Sequence, residues 1–402
     1  MLAGKHILLG VTAGIAAYKT PALVRLLKKE GAEVRVVMTP DAREFVAPLT
    51  LSVLSENPVY WTFTDEDAPD QGLWNNHVHL GRWADLFLIA PATANTLSKM
   101  ANGVCDNLLL AAYLSAECDV YFAPAMDLDM HEHPATQTSF KRLKEFGNIM
   151  IPSEHGALAS GLVGPGRMAE PEHIVAFLIN DLSAKLPLAG KRYLVTAGPT
   201  FEPIDPVRYI GNFSSGKMGY AIANAAARLG AEVVLVSGPT RDLQLAPGIK
   251  KINTVTGEEM LKGVLTHFND CDVVILCAGV ADFRPKEVAQ HKIKSKTESL
   301  SIELSPTIDI AAHLGSIKQN QCLVGFALET QDALKHAKSK LEKKNLDLIV
   351  LNSLEDQGVA FGADTNKITI IDRSQNQHEY ELKSKELVAQ DIIDFIRQIK
   401  DA

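Results

Sequence analysis

Short, unbroken apolar runs alternate with helix-length amphipathic segments along the whole chain, and this pattern restricts the fold more than any other feature. "HILLGV", "VRVVM", "LFLIAP" and "VYFAP" read as strands in the first part. "YLVTAG", "VVLVSG", "VVILCAG", "CLVGFA" and "LDLIVLN" continue in the same style. Continuously apolar strands separated by helices imply a parallel sheet covered on both faces. The pattern is also doubled. "GVTAG", a helix and "GAEVRVV" (31–37) are echoed by "LVTAG", a helix and "GAEVVLV" (230–236). Each set is a strand, a glycine turn, a helix and a second strand. The expected fold class is therefore α/β, with two Rossmann-like domains, each a mainly parallel sheet covered by helices. A chain of 402 residues exceeds one ordinary core, which agrees with two. The stretch "DLSAKLPLAGKR" (181–192) carries Pro187 and Gly190, so the expected domains are 1–187 and 188–402.

Composition narrows the function. A net charge of −8 argues against nucleic acid or an anionic membrane surface as partner. No apolar run reaches the roughly 18–20 residues that span a bilayer. "MLAGKHILLGVTAG" reads as a first buried strand and not as a leader. Five cysteines, Cys105, Cys118, Cys271, Cys277 and Cys322, are odd in number and form no C-x-x-C pair. Neither a disulfide framework nor a zinc ribbon is expected. The expected compartment is the cytoplasm.

The segment "GNFSSGKMG" (211–219) comes close to a P-loop. Lys217 follows Gly216 as that motif requires, but Met218 stands where a magnesium-binding hydroxyl belongs. The insert "PTFEPIDPVRYI", with Pro199, Pro203 and Pro206, separates it from the preceding strand. A P-loop is thus excluded, while the helix start still suits an anion. Ser214, Ser215 and Gly216 either cap that helix or cradle a phosphate. "VTAGIAAYK" (11–19) is the equivalent turn of the first domain. It lacks G-x-G-x-x-G, and no acidic residue ends "VRVVMT" to hold a ribose, which disfavours NAD. An NAD(P)-dependent reductase is the competing class. His77 and His79, and "HEH" at 131–133, lack a third ligand at useful spacing, so no metal site is expected.

Longer strings carry a resemblance. "GVTAGIAAYK", "HVHLGRWADLFLIAPATANTLSKMANG", "PAMDLDM" and "GALASGLVGPGRM" lie in the first half. "TAGPTFEPIDPVRYIGNFSSGKMG", "CAGVADFRP", "KIKSK", "GFALET" and "KNLDLIVLN" lie in the second. Together they resemble the bifunctional phosphopantothenoylcysteine decarboxylase/phosphopantothenate–cysteine ligase family of coenzyme A biosynthesis. The resemblance implies a flavodoxin-like, FMN-dependent decarboxylase domain followed by a CTP-dependent ligase domain. The ligase would activate 4′-phosphopantothenate with CTP and Mg²⁺ as an acyl-cytidylate, from which the amine of cysteine displaces CMP. The decarboxylase would then remove CO₂ from the cysteine unit to give 4′-phosphopantetheine. Its FMN would take a hydride from the thiol-bearing carbon and later return it. The partners implied are these small molecules and further copies of the chain, as decarboxylase trimers sharing FMN sites and joined through ligase dimers.

The residue roles follow from the same resemblance. Ser214, Ser215, Gly216 and Lys217 would hold the triphosphate, whose own oxygens coordinate most of the Mg²⁺. Asn212 matches the asparagine that contacts the acyl-cytidylate. Lys292 matches the catalytic lysine of a K-x-K-K motif whose last position is Ser295 here. Asp282 would sit just past a strand end. Phe326, Lys340 and Lys344 match positions that bind the base and the phosphates. His77 matches the catalytic base of the decarboxylase, a role suited to a group titrating near neutrality. Thr93 and Asn95 would bind the flavin, with Thr12, Gly14 and Thr39 at other strand ends.

Two positions depart from the family pattern. Asp127 replaces an Asn, and Ser160 replaces a cysteine that protonates the intermediate. An ionised Asp127 would repel a substrate carboxylate unless protonated or turned away. A hydroxyl is also far less acidic than a thiol. Both residues are expected at the catalytic centre, with Arg167 available for an anion. A first half that is non-catalytic or purely oxidative is the alternative, and the unaltered His77 counts against it.

Overall fold

The computed structural model describes residues 1–64, 74–294, 300–329, 332–353 and 363–401. Two compact units divide the chain, Met1–Ser183 and Ala184–Ala402.

The first unit is built on six strands: β1 (His6–Val11), β2 (Glu33–Met38), β3 (Val59–Tyr60), β4 (Leu86–Ala92), β5 (Asp119–Pro124) and β6 (Ile149–Met150). Their order is β3-β2-β1-β4-β5-β6, and every neighbouring pair is parallel. A hairpin, β7 (Glu154–Ala157) and β8 (Val163–Arg167), stands apart from this sheet. The helices are α1 (Thr20–Lys29), α2 (Pro48–Ser55), α3 (His77–Trp83), α4 (Ala94–Asn102), α5 (Leu108–Leu114), α6 (Leu128–Glu132), α7 (Pro134–Glu145) and α8 (Pro171–Ala184). Alternate residues of β1 and β4 enter different cores. Ile7, Leu9, Leu86 and Leu88 join one cluster, while Leu8, Phe87 and Ile89 join the other. Both faces are buried, which is why these strands read as continuous apolar runs.

The second unit repeats the plan. Its main sheet contains β9 (Arg192–Ala197), β12 (Glu232–Ser237), β13 (Lys250–Asn253), β14 (Val273–Leu276), β17 (Cys322–Glu329), β18 (Leu348–Ser353), β19 (Thr365–Asp372) and β20 (Gln377–Ser384). The order is β13-β12-β9-β14-β17-β18-β19-β20, parallel as far as β18 and antiparallel in the last two pairs. Tyr193, Val195, Val273 and Ile275 face one core, and Leu194 and Val274 the other. The helices are α9 (Lys217–Arg228), α10 (Gly257–Phe268), α11 (Ile310–Ile317), α12 (Ala333–Lys343) and α13 (Lys385–Asp401). Two small hairpins complete the unit: β10 (Phe201–Pro203) with β11 (Tyr209–Gly211), and β15 (Phe283–Pro285) with β16 (Leu304–Pro306). The proline-rich insert before Gly211 is the first of these hairpins. Its buried Glu202 accepts a hydrogen bond from the Gly257 N–H at 2.8 Å and so holds the start of α10.

In each sheet the winding reverses beside the first strand, between β1 and β4 and between β9 and β14. Loops leaving the two strands diverge there and open a crevice at the carboxyl ends.

Candidate functional sites

A cavity of about 880 Å³ occupies the crevice of the first unit. Of the residues nominated above, Gly14, Thr39, Thr93, Asn95, Asp127 and Ser160 line it. Thr12 does not. It is fully buried, and its hydroxyl donates to the Pro91 carbonyl at 2.7 Å while accepting from the Thr93 N–H at 3.2 Å. Thr12 therefore ties the ends of β1 and β4 together beneath the cavity. Thr39 is buried at the cavity wall, and its hydroxyl oxygen has no hydrogen-bond partner among the described residues. Thr93 precedes α4 without capping it through its side chain, so the first N–H groups of that helix remain for a ligand.

The two departures from the family pattern meet each other. Ser160 lies in the loop joining β7 to β8, and its hydroxyl donates to Asp127 Oδ1 at 2.8 Å. The same carboxylate oxygen accepts from the Leu128 N–H at 2.8 Å, which makes Asp127 the N-cap of α6. The hairpin is held close by glycine. Gly166 has φ +120, and a Cβ there would stand 2.5 Å from the Met126 carbonyl oxygen. Asp127 thus reaches its serine only because the hairpin backbone lies against the end of β5.

Lys19 is a cavity residue to which the sequence attached no role. Only 6% exposed, it donates to the Met168 carbonyl at 2.9 Å and to Glu170 Oε1 at 3.0 Å. That hydrogen bond holds the Glu170 carboxyl below its ordinary range, against the opposing effect of burial. Glu170 also takes the Arg167 guanidinium. Arg167, expected to be available for an anion, is thus paired with a carboxylate that an anion would have to displace. Lysine buried beside an otherwise apolar turn was the available signal.

His77 stands outside the cavity lining. It begins α3, whose N-cap is Asn76, and its ring meets Phe63 and Trp74 edge-on with centroids 6.1 and 5.5 Å away. Its Nδ1 is buried without a partner among the described residues.

The second unit carries two smaller cavities at its crevice, of about 210 and 240 Å³. Ser214, Ser215, Gly216 and Lys217 line the first. Asp282, Lys340 and Lys344 line the second. Phe326 and Ala278 belong to both walls. Gly216 has φ +77, and a Cβ there would meet Thr240 Cγ2 at 2.5 Å, so glycine is required where α9 begins. The three nominated lysines of these cavities are already paired. Lys217 pairs with Asp364 at 2.6 Å, Lys340 with Glu329 at 2.6 Å and Lys344 with Asp309 at 2.9 Å. Burial would raise the Asp309 carboxyl, but the Ala312 N–H and Lys344 hold it below its ordinary value.

Asn212 and Lys292 line neither cavity. Asn212 donates to the Val280 carbonyl at 2.8 Å. Lys292 is exposed, and the next residue is anchored: Ile293 N–H donates to Asp205 at 3.2 Å and its carbonyl accepts from Arg208 at 2.6 Å. Ser295 and Lys296 of the "KIKSK" motif lie outside the described residues. Among the described residues no three His, Cys, Asp or Glu side chains gather as a metal site, and no helix is long and apolar enough to cross a membrane.

Comparison with known proteins covers the chain almost end to end. Residues 1–183 match the family described as flavoprotein, and residues 188–399 match the DNA/pantothenate metabolism flavoprotein C-terminal domain. The coenzyme A biosynthesis bifunctional protein CoaBC of Bacillus subtilis (strain 168) is 44% identical over 388 residues, 96% of this chain and 95% of that one. The chain belongs to the CoaBC family. Another relative, a cysteine/cysteine sulfinic acid decarboxylase from an unknown prokaryotic organism, is 54% identical over 356 residues, 87% of this chain and 98% of that protein. The crystal structure of a CoaBC C-terminal domain is 41% identical, covering 54% of this chain and 99% of that one, with a TM-score of 0.47. The CoaBC family joins a flavoprotein half to a ligase half, and the two units described here correspond to those halves.

Proposed function

We propose that this chain makes 4′-phosphopantetheine in two steps, ligation in the unit beginning near residue 188 and decarboxylation in the unit before it. One observation carries this reading: in each unit most of the nominated residues gather at the crevice where the winding reverses, the position where α/β sheets bind ligands. Membership of the CoaBC family over nearly the whole chain supports it.

In the second unit CTP, arriving with Mg²⁺, takes its phosphates to Ser214, Ser215, Gly216 and Lys217. Phe326 offers a face for the base, and Lys340 and Lys344 turn from their carboxylates toward the nucleotide. Asp282 and Asn212 orient the acyl-cytidylate. As the phosphopantothenate carboxylate attacks the α-phosphorus of CTP and pyrophosphate leaves, Lys292 stabilises charge developing at the transferring phosphoryl group, where a cation is worth most. Cysteine's nitrogen then forms the amide bond as the phosphate–carbonyl bond breaks and CMP departs.

In the first unit the residues fit FMN. Gly14, Thr39, Thr93, Asn95 and the open start of α4 would hold it, and the unpartnered Thr39 hydroxyl is the kind of group such a ligand satisfies. When bound, FMN supplies a reversible hydride acceptor. His77 is the base, and the Ser160 hydroxyl, oriented by its hydrogen bond to Asp127, relays a proton in place of a thiol. His77 lies away from its own cavity, beside the exposed Trp74, which suits a cytoplasmic homo-oligomer in which a neighbouring copy completes each flavin site. Decarboxylase trimers joined through ligase dimers satisfy that requirement.

A second reading concerns the first unit's substrate. The relative named for cysteine and cysteine sulfinic acid is more similar to this chain than the Bacillus protein is. Asp127 places a carboxylate at the cavity, where the α-ammonium of a free amino acid is welcome and a substrate carboxylate is not. One experiment separates the readings. The purified yellow protein is given CTP, Mg²⁺, phosphopantothenate and cysteine, and in parallel cysteine or cysteine sulfinate alone, with products weighed by mass spectrometry. 4′-Phosphopantetheine supports the first reading, and CO₂ released from the free amino acids supports the second. A product two hydrogens lighter, in amounts matching the flavin, removes turnover from the first unit.

A further inference from the structure

Lys385 opens α13, far along the chain from the glycine-rich loop, yet its side chain lines the same cavity as Ser214, Ser215, Gly216 and Lys217. Helices α9 and α13 pack together, so their first residues face one space. The other lysines of the two ligase cavities each hold a carboxylate. Lys385 does not: among the described residues its ammonium donates to the Ala363 carbonyl at 2.5 Å and to no acid. Three polar side chains, Asn352, Thr365 and Asn366, share the wall with it. Asn366 is buried, and its amide reaches Asn352 at 3.3 Å.

We propose that Lys385 is a phosphate-binding residue of the ligase site, acting with Lys217 and the start of α9 on the polyphosphate end of the nucleotide. The inference rests on the reading of this unit as a nucleotide-dependent ligase and adds a binding group to it. Two further observations favour a phosphate over another ligand. Half-burial pushes the Lys385 ammonium below its ordinary value, and the Lys217 charge pushes the same way. Two cations converge here on a single nearby carboxylate, Asp364, which pairs with Lys217, so a multiply charged anion is favoured beside them. Gly216 caps α9 with no side-chain acceptor and the Lys217 N–H reaches Ser215 Oγ only at 3.5 Å, so the start of the helix suits an anion in the same space. The cavity is also too small for a whole nucleotide, since ligand sites ordinarily hold about 300–1,000 Å³. Its neighbour across Phe326 is equally small. One ligand bridging both, with its terminal phosphates on the Lys385 side, would reach the lysines of each cavity past Phe326.

The test uses the full-length protein. Lys385→Gln is expected to raise KM for CTP about ten- to a hundredfold, as the loss of a charged hydrogen bond does, with KM for cysteine unchanged. Lys385→Arg is expected to stay within about threefold, because it keeps the charge. Independently, wild-type protein is treated with an amine-acylating reagent, and modification of Lys385 is read by mass spectrometry. CTP and tripolyphosphate are expected to protect it, and cytidine is not. This second measurement needs no variant to fold. If wild-type protein neither consumes nor binds CTP, the ligase reading falls. If it uses CTP while Lys385→Gln keeps its KM within twofold, or while Lys385 goes unprotected, Lys385 is structural and only this proposal falls.

Discussion

The six parallel strands of each unit follow the same winding and each unit opens its own crevice, yet the two crevices are furnished in opposite ways. In the first unit a single wide cavity lies between the strand ends and the β7–β8 hairpin, and one buried hydroxyl on its wall has no partner among the described residues. In the second, Phe326 stands between two small cavities whose nominated lysines are each engaged by a carboxylate. Topology opens a crevice in both cases, and the loops decide how it is lined. A wide cavity with an unsatisfied polar wall suits a large resident group. Cations parked on exchangeable carboxylates suit a charged substrate that comes and goes, since an exposed or half-exposed ion pair costs little to open.

The sharpest way to break this comparison is Lys292→Gln. Lys292 is exposed, so the fold should be untouched. Ligation should fall about a hundredfold or more, the usual scale for removing a charge that stabilises a transition state, while decarboxylation of supplied phosphopantothenoylcysteine continues at the wild-type rate. Assaying the halves separately checks this, and a parallel loss of both activities would mean that the units are not chemically independent.

Next in size is a pair of glycine substitutions. A Cβ at Gly166 would strike the Met126 backbone carbonyl, which cannot move aside, whereas at Gly216 its closest contact is a Thr240 methyl, with the Gly198 backbone at ordinary distance. Both positions have positive φ, costing about 1–2 kcal/mol for an L residue. Gly166→Ala is expected to cost more than that and to release flavin. Gly216→Ala is expected to stay near that figure and to weaken CTP binding. Urea unfolding followed by flavin absorbance in the first unit and CTP protection in the second would rank them.

Smaller effects are expected at the Asp127–Ser160 contact. Asp127→Asn restores an amide and should keep decarboxylation or improve it several-fold, because it removes a carboxylate that would repel the substrate's own. Ser160→Cys should remain active. Ser160→Ala removes one hydrogen bond, about 1 kcal/mol, and should slow product release as 4′-phosphopantetheine more than it slows CO₂ release. Loss of all activity in Asp127→Asn would show that the acid itself moves a proton.

The smallest effect is a pH dependence confined to the first unit. Glu154 lies 2.6 Å from His173 and raises that imidazole above its ordinary value near 6.5. A raised histidine pKa means the pair contributes stability below the ordinary value and loses it as pH rises through the raised one. His173→Gln should therefore lower the first unit's melting temperature slightly at pH 6 and not at pH 9. The second unit should not respond at either pH, and a scanning-calorimetry trace with two resolved transitions would read both at once.

The central strands of both sheets were legible because burial on both faces forces unbroken apolar runs. The edges were not. β13 and β20 are largely exposed, and β3 and β6 contribute two residues each, so no such run marks them. Site residues that lie within long recognisable strings, such as Thr93, Ser214 and Phe326, could be nominated from local sequence. Lys19 and Lys385 could not, because each acquires its surroundings from segments distant in the chain. Sequence by itself determined two parallel sheets, the glycine turns that open each crevice and the family to which the motifs belong, since these depend on the order of neighbouring residues. Only the tertiary structure decided that Ser160 donates to Asp127, that Glu170 occupies Arg167 and that Lys385 joins the loop at Ser214. Those contacts arise when crossovers bring strand ends together, and the closing distances are set by the sheet order and not by any local pattern.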